Sequence, residues 1–188
     1  MVQPIADVPV AAEDAMTLAR IAGALRAAGK DFRILAEPST SLDDLQQGTA
    51  VLIGAFNNDW VLRLTGVLRF RFEDAKAADR IYIRDSKDPS QAAWRPIPSA
   101  RSGEYTTDYA IVARCWNPET RQMVVVAAGA HRWGTRAAGE FLTNSESLKK
   151  LEALAQENRD RKNLQVVLST EVVRGIPGPP NVVAAHFW

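Results

Sequence analysis

The sequence predicts an α/β layered sandwich. Its sheet is expected to be mixed and mostly parallel, Rossmann-like or flavodoxin-like, with a central antiparallel hairpin. Three observations carry that reading. Helical and strand periodicities alternate through the first half of the chain. Ala50-Val51-Leu52-Ile53 is apolar without alternation, as in strands covered on both faces. Two further apolar runs are joined by Asn117-Pro118-Glu119-Thr120, strong turn chemistry.

The elements follow in order. Leu18, Ile21, Ala22 and Leu25 fall on one helical stripe, with Glu13 and Asp14 at its positive end and Gly29 as its stop. Phe32 to Ala36 reads as a strand closed by Pro38. Ser41-Leu42-Asp43-Asp44 is a capping box opening a short helix, so its acids are helix-start acids. After the run ending at Gly54, Val61, Leu64, Thr65 and Leu68 mark a helix. Phe70 and Phe72 then alternate with charged residues, and Arg80 to Arg84 is a second strand. Residues 85–107 hold three prolines and form a long loop or lid carrying Trp94. Tyr109–Cys115 and Met123–Gly129 make the hairpin. Gly134–Leu142 is a helix, and Asn144-Ser145-Glu146 opens another with Leu148, Leu151 and Leu154. Arg159 to Lys162 is a solvated charge cluster, and strands from Leu164 to Val173 and Val182 to Phe187 complete the sheet.

Composition narrows the function. The 188 residues are 46% hydrophobic and 24% charged, which suits one α/β domain over residues 1–188. Lys+Arg 23 against Asp+Glu 22 leaves a formal +1, so specific nucleic-acid binding is not expected. A single cysteine precludes an intrachain disulfide, and Cys115, His131 and His186 lack metal-ligand spacing, so neither metal nor cofactor is expected. No apolar run is long enough to span a membrane, and the opening Met1-Val2-Gln3-Pro4 does not read as a signal peptide. A soluble domain is expected, of otherwise open location.

Two segments follow apolar strands and precede helices, where α/β sheets place their ligands. The first is Gly54-Ala55-Phe56-Asn57-Asn58-Asp59-Trp60: Asn57 and Asn58 offer amide groups, or cap the helix, and Trp60 can wall a pocket. The second is Gly129-Ala130-His131-Arg132-Trp133-Gly134-Thr135. It has phosphate-loop glycine spacing, but Thr135 stands where the lysine belongs, which argues against an NTPase. His131, Arg132, Trp133, Gly134 and Thr135 are the candidate ligand-facing residues, Arg132 and the helix start meeting an anionic or carbonyl group. The two loops are expected side by side, with Trp94 able to close over them, while Trp116 and Trp188 pack. His131 could act as a base with Asp108, but no complete catalytic set is present. Neither a Gly-x-Ser-x-Gly elbow nor a Gly-x-Gly-x-x-Gly fingerprint occurs.

Four blocks, Val51 to Trp60, Leu68 to Phe72, Asp108 to Arg114 and Gly134 to Leu142, resemble those of an uncharacterised bacterial domain. In that family the related segments lie at the C-terminal end of longer proteins with a membrane segment, a DNA-binding module or repeats upstream. The resemblance implies the sensory end of a longer membrane-anchored or regulatory protein and assigns no functional residue. The function expected is therefore a non-enzymatic ligand-sensing or interaction domain with a pocket at the strand carboxyl ends, its partner an unknown small molecule or protein. The alternatives are a small enzyme acting on a nucleotide- or sugar-like substrate through His131, and a purely structural module.

Overall fold

A computed structural model of the chain describes residues 10–75, 80–88, 94–99, 105–156 and 162–188. The segments 89–93, 100–104 and 159–161, which carry parts of the expected lid and charge cluster, lie outside the described residues. Helix α1 (Ala12–Ala27) is followed by a short 3-10 turn, by α2 (Leu42–Leu45) and by β1 (Ala50–Ile53). Next come α3 (Asp59–Thr65), β2 (Phe70–Ala75), β3 (Arg80–Asp85) and the two-residue β4 (Ile97–Pro98). The long hairpin is β5 (Tyr105–Asn117) with β6 (Gln122–Gly129), and α4 (Arg132–Thr143) and α5 (Ser145–Gln156) follow it. β7 (Leu164–Val173), β8 (Ile176–Pro177) and β9 (Asn181–Phe187) close the order.

Seven strands form one mixed sheet in the order β1-β6-β5-β7-β8, with β4 on β5 and β9 on β7, while β2 and β3 form a separate antiparallel pair. The fold is α/β, but the sheet is not mostly parallel. Among the described residues only β1 and β6 pair in parallel, from Ala50 opposite Val124 to Ile53 opposite Ala127. The reason is the hairpin. β6 and β7 run the same way, as strands flanking a helical crossover should, but β5 is inserted between them and pairs antiparallel with both. β7 then turns back on itself through Arg174 and Gly175, both at positive φ, so β8 and β9 are antiparallel as well.

Both faces of this sheet are covered, as the unbroken apolar runs require. Ile111, Ala113, Val126 and Val167 face one core with Val61 and Leu64 of α3 and Phe70 and Ile83 of the β2–β3 pair. Ala110, Val112, Val166 and Leu168 face the other with Ile21 of α1, Phe141 of α4 and Leu151 of α5. Successive residues from Ala110 to Ala113 of β5 therefore alternate between two cores.

Four local expectations change. Phe32–Ala36 forms no strand, leaving Ile34 and Leu35 exposed; its pattern supplied no ladder partner. The third helix stops at Thr65, before Leu68, because the chain turns at Gly66. Trp94 is not a lid residue. Its backbone exchanges two hydrogen bonds with Ile83 at 2.9 Å, and its ring meets Phe70 edge-on at 5.5 Å. Trp116, expected to pack, is 55% exposed.

One buried polar side chain docks the small sheet on the large one. Gln165 of β7 is fully buried, accepts from the Phe70 N–H at 2.9 Å and donates to the Phe70 carbonyl at 2.5 Å. Its primary amide does for Phe70 what a neighbouring strand would do. Replacing Gln165 with Leu leaves both Phe70 groups buried and unpaired, at about 2 kcal/mol or more, which is a melting point lower by about 4–8 °C. A thermal melt checks this, and an unchanged midpoint would show that the pair is not docked through Gln165.

Candidate functional site

β1 and β6 are adjacent and parallel, so the segments that follow them leave the sheet side by side, as expected. What joins them is α1. Asp14, in its first turn, is buried and accepts from Asn57 Nδ2 at 2.6 Å. The Thr135 side chain lies near the same carboxylate and favours its charged form. Burial pushes the Asp14 carboxyl above its ordinary range, against the lowering effect of Asn57. Thr17, one turn further along, donates to the Thr135 carbonyl at 3.1 Å. Gly139 lets α1 come this close, because a Cβ there would lie 2.7 Å from Thr17 Cγ2.

In the first loop the chain's own groups use most of the amide chemistry. Gly54 has φ +88, and the Asn57 amide folds over it where a Cβ would otherwise stand. Asn58 is the α3 N-cap: its Oδ1 accepts from Val61 N–H at 3.3 Å, and its Nδ2 donates to the Ile53 carbonyl at 3.0 Å. Trp60 donates through Nε1 to the Thr40 carbonyl at 3.1 Å and carries the Arg63 guanidinium 5.2 Å above its ring.

The second loop is organised by a residue from β5. Asp108 is fully buried and accepts three backbone N–H groups: Gly134 at 2.6 Å, Tyr109 at 2.8 Å and His131 at 3.2 Å. This carboxylate occupies the place at the helix start where an external anion was expected. It also explains why α4 begins at Arg132 rather than Gly134: a cap supplied from another strand extends the first turn backwards. The Gly129 N–H bonds Thr135 Oγ1 at 3.0 Å, and the Ala130 N–H bonds the Tyr109 carbonyl at 2.7 Å. The glycines serve close approach. A Cβ on Gly134 would run into the Tyr109 carbonyl, and one on Gly129 into the backbone of His131 and Thr135.

The remaining side chains form an aromatic cluster. His131 stacks on Tyr105 at 4.1 Å, and Tyr105 meets Trp133 edge-on at 6.0 Å. Trp133 is buried and donates through Nε1 to the Gly175 carbonyl at 3.0 Å, tying α4 to the β7–β8 turn. Arg132 lies 4.5 Å over the Trp133 ring, 3.8 Å from Glu13, with its side chain 55% exposed. The expected proximity of His131 and Asp108 is real, but the contact is to the His131 backbone and not to its imidazole. Asp14 and Asp108 organise the site, and the sequence alone marked the first only as a helix-start acid. Among the described residues no group of three or more His, Cys, Asp or Glu could hold a metal, and no helix is long and apolar enough to cross a membrane.

Comparison with protein-family models, with curated proteins and with solved structures returns no match to this chain.

The site has a pH signature. Burial raises the Asp108 carboxyl to about 6, outweighing the three N–H groups that favour its charged form. An unfolded Asp titrates near about 3.9, so between these values the folded chain holds a proton that the unfolded chain has lost. The stability contributed by this group is fully present below about pH 4 and disappears as pH rises through about 6. Carbon-13 NMR of the Asp108 carboxyl should show a midpoint near 6. A carboxyl that titrates at or below the unfolded value would contradict this.

Proposed function

We propose that the chain is a non-enzymatic ligand-sensing or interaction domain of a longer bacterial protein, working from the rim of its strand carboxyl ends. One observation carries the reading. The polar groups a catalytic site would need are bonded within the chain: Asp108 to backbone, Asp14 to Asn57, Thr135 to Gly129, Asn58 to Ile53 and Val61. Arg132, half exposed above Trp133, is the group best placed to meet a partner.

Resemblance to a bacterial domain at the C-terminal end of longer proteins supports a regulatory setting. The parallel β1–β6 pair with helices on both faces supports a Rossmann-like origin for the first half, joined to an antiparallel second half.

Native mass spectrometry of the intact chain tests the proposal. A species bound at the rim should keep its mass through prolonged incubation, and its occupancy should fall with roughly tenfold weaker binding in Arg132→Ala. Recovery of a chemically altered species would identify an enzyme. A chain that carries nothing and captures no partner would identify a structural module.

A further inference from the structure

The opposite end of the sheet carries a second concavity, independent of the strand-end rim. There the turn after α3 (Val67–Arg69) and the residues after β3 (Ser86 and Lys87) face the end of β9 across a groove of about 560 Å³. We propose that this groove binds a small planar aromatic anion, its ring on the His186–Trp188 stack and its charged group between Lys87 and Arg69.

The volume lies within the range of small-molecule sites. One wall is aromatic. His186 and Trp188 are stacked with centroids 5.1 Å apart and planes within 13°. The backbone beneath them is fixed, because Trp188 and Asn163 exchange two hydrogen bonds at 3.1 Å. An aromatic surface held this way offers a flat ring a face at little ordering cost.

The facing wall carries a held guanidinium, Arg69, and an exposed ammonium, Lys87. Asp85 is buried and grips Arg69, which donates Nε at 3.0 Å and Nη2 at 2.7 Å. The Arg69 guanidinium is thereby locked, and its Nη1 makes no bond to a described residue. Asp85 also accepts from the Lys87 N–H at 2.9 Å, which sets the backbone from which the Lys87 ammonium extends. The groove lining contains no acidic side chain. Asp88 contributes a negative charge close to Arg69, so selection of an anion rests on directed N–H groups rather than on a strong field. The exposed Val67, at 87%, supplies an apolar flank that a polar sugar or a bare inorganic ion would not use.

Calorimetric titration of the intact chain with adenosine monophosphate and with indole-3-acetate tests this, with adenosine and indole-3-acetamide as their neutral counterparts. At least one anion should bind more tightly than roughly 1 mM, and its neutral counterpart roughly tenfold more weakly. Lys87→Ala should remove most of that preference without altering the melting point, and Trp188→Ala should weaken both members of the pair. Binding of neither anion below roughly 1 mM overturns the proposal. So does equal binding by wild type and Lys87→Ala. Loss in Arg132→Ala with Lys87→Ala unaffected would place the ligand at the strand-end rim, which overturns the groove and leaves the sensing reading standing.

Discussion

The strand-end region depends on one buried carboxylate. Asp108 leaves β5 at the point where β6 ends and α4 begins, and its two oxygens satisfy backbone N–H groups from all three local segments: Tyr109, His131 and Gly134. A helix start inside a packed layer must find acceptors for its first N–H groups. The Gly134 N–H is buried and finds its acceptor in the equally buried Asp108. The placement of His131, Arg132 and Trp133 on the first turn, and the contact of Gly134 with the Tyr109 carbonyl, follow from that cap. The carboxyl is costly to bury, which is why it is held near pKa 6.

Much of the fold was legible because it rests on patterns that one-dimensional reading captures. The unbroken apolar runs at Ala50 and Val124 announced a sheet covered on both faces, and the Ser41–Asp44 capping box and the Asn117 turn stand where the chemistry placed them. Strand direction was less legible. Whether neighbours are parallel depends on where the hairpin inserts, and no residue of β5 records that it will lie between β6 and β7. Phe32–Ala36 failed for a related reason, since a strand requires a partner that its own pattern cannot supply.

The site was legible in position and not in occupancy. Glycine followed by a helix after an apolar strand located both loops, and the parallel β1–β6 pairing brought them together. The same residue types that suit a ligand also suit internal caps, and the choice between these roles is made by residues far away in sequence. Asp14 reaches Asn57 and Asp108 reaches Gly134 only in the folded chain. Gly129 and Gly134, spaced as in a phosphate loop, serve backbone approach to Thr135 and Tyr109 instead. At the other end of the sheet, the Leu68–Phe72 block and the aromatic His186-Phe187-Trp188 run are separated by more than half the chain, and folding sets them across one groove.

The central claim is that the strand-end donors are satisfied from within the chain. Amide hydrogen exchange read residue by residue at Gly129, His131 and Gly134 tests it most directly. If Thr135 and Asp108 hold these N–H groups, all three should exchange only through global unfolding, at rates matching the core amides of β5 and β7. Exchange at the rates of an open surface loop, with the β5 core still protected, would show that these donors face solvent and are available to a ligand.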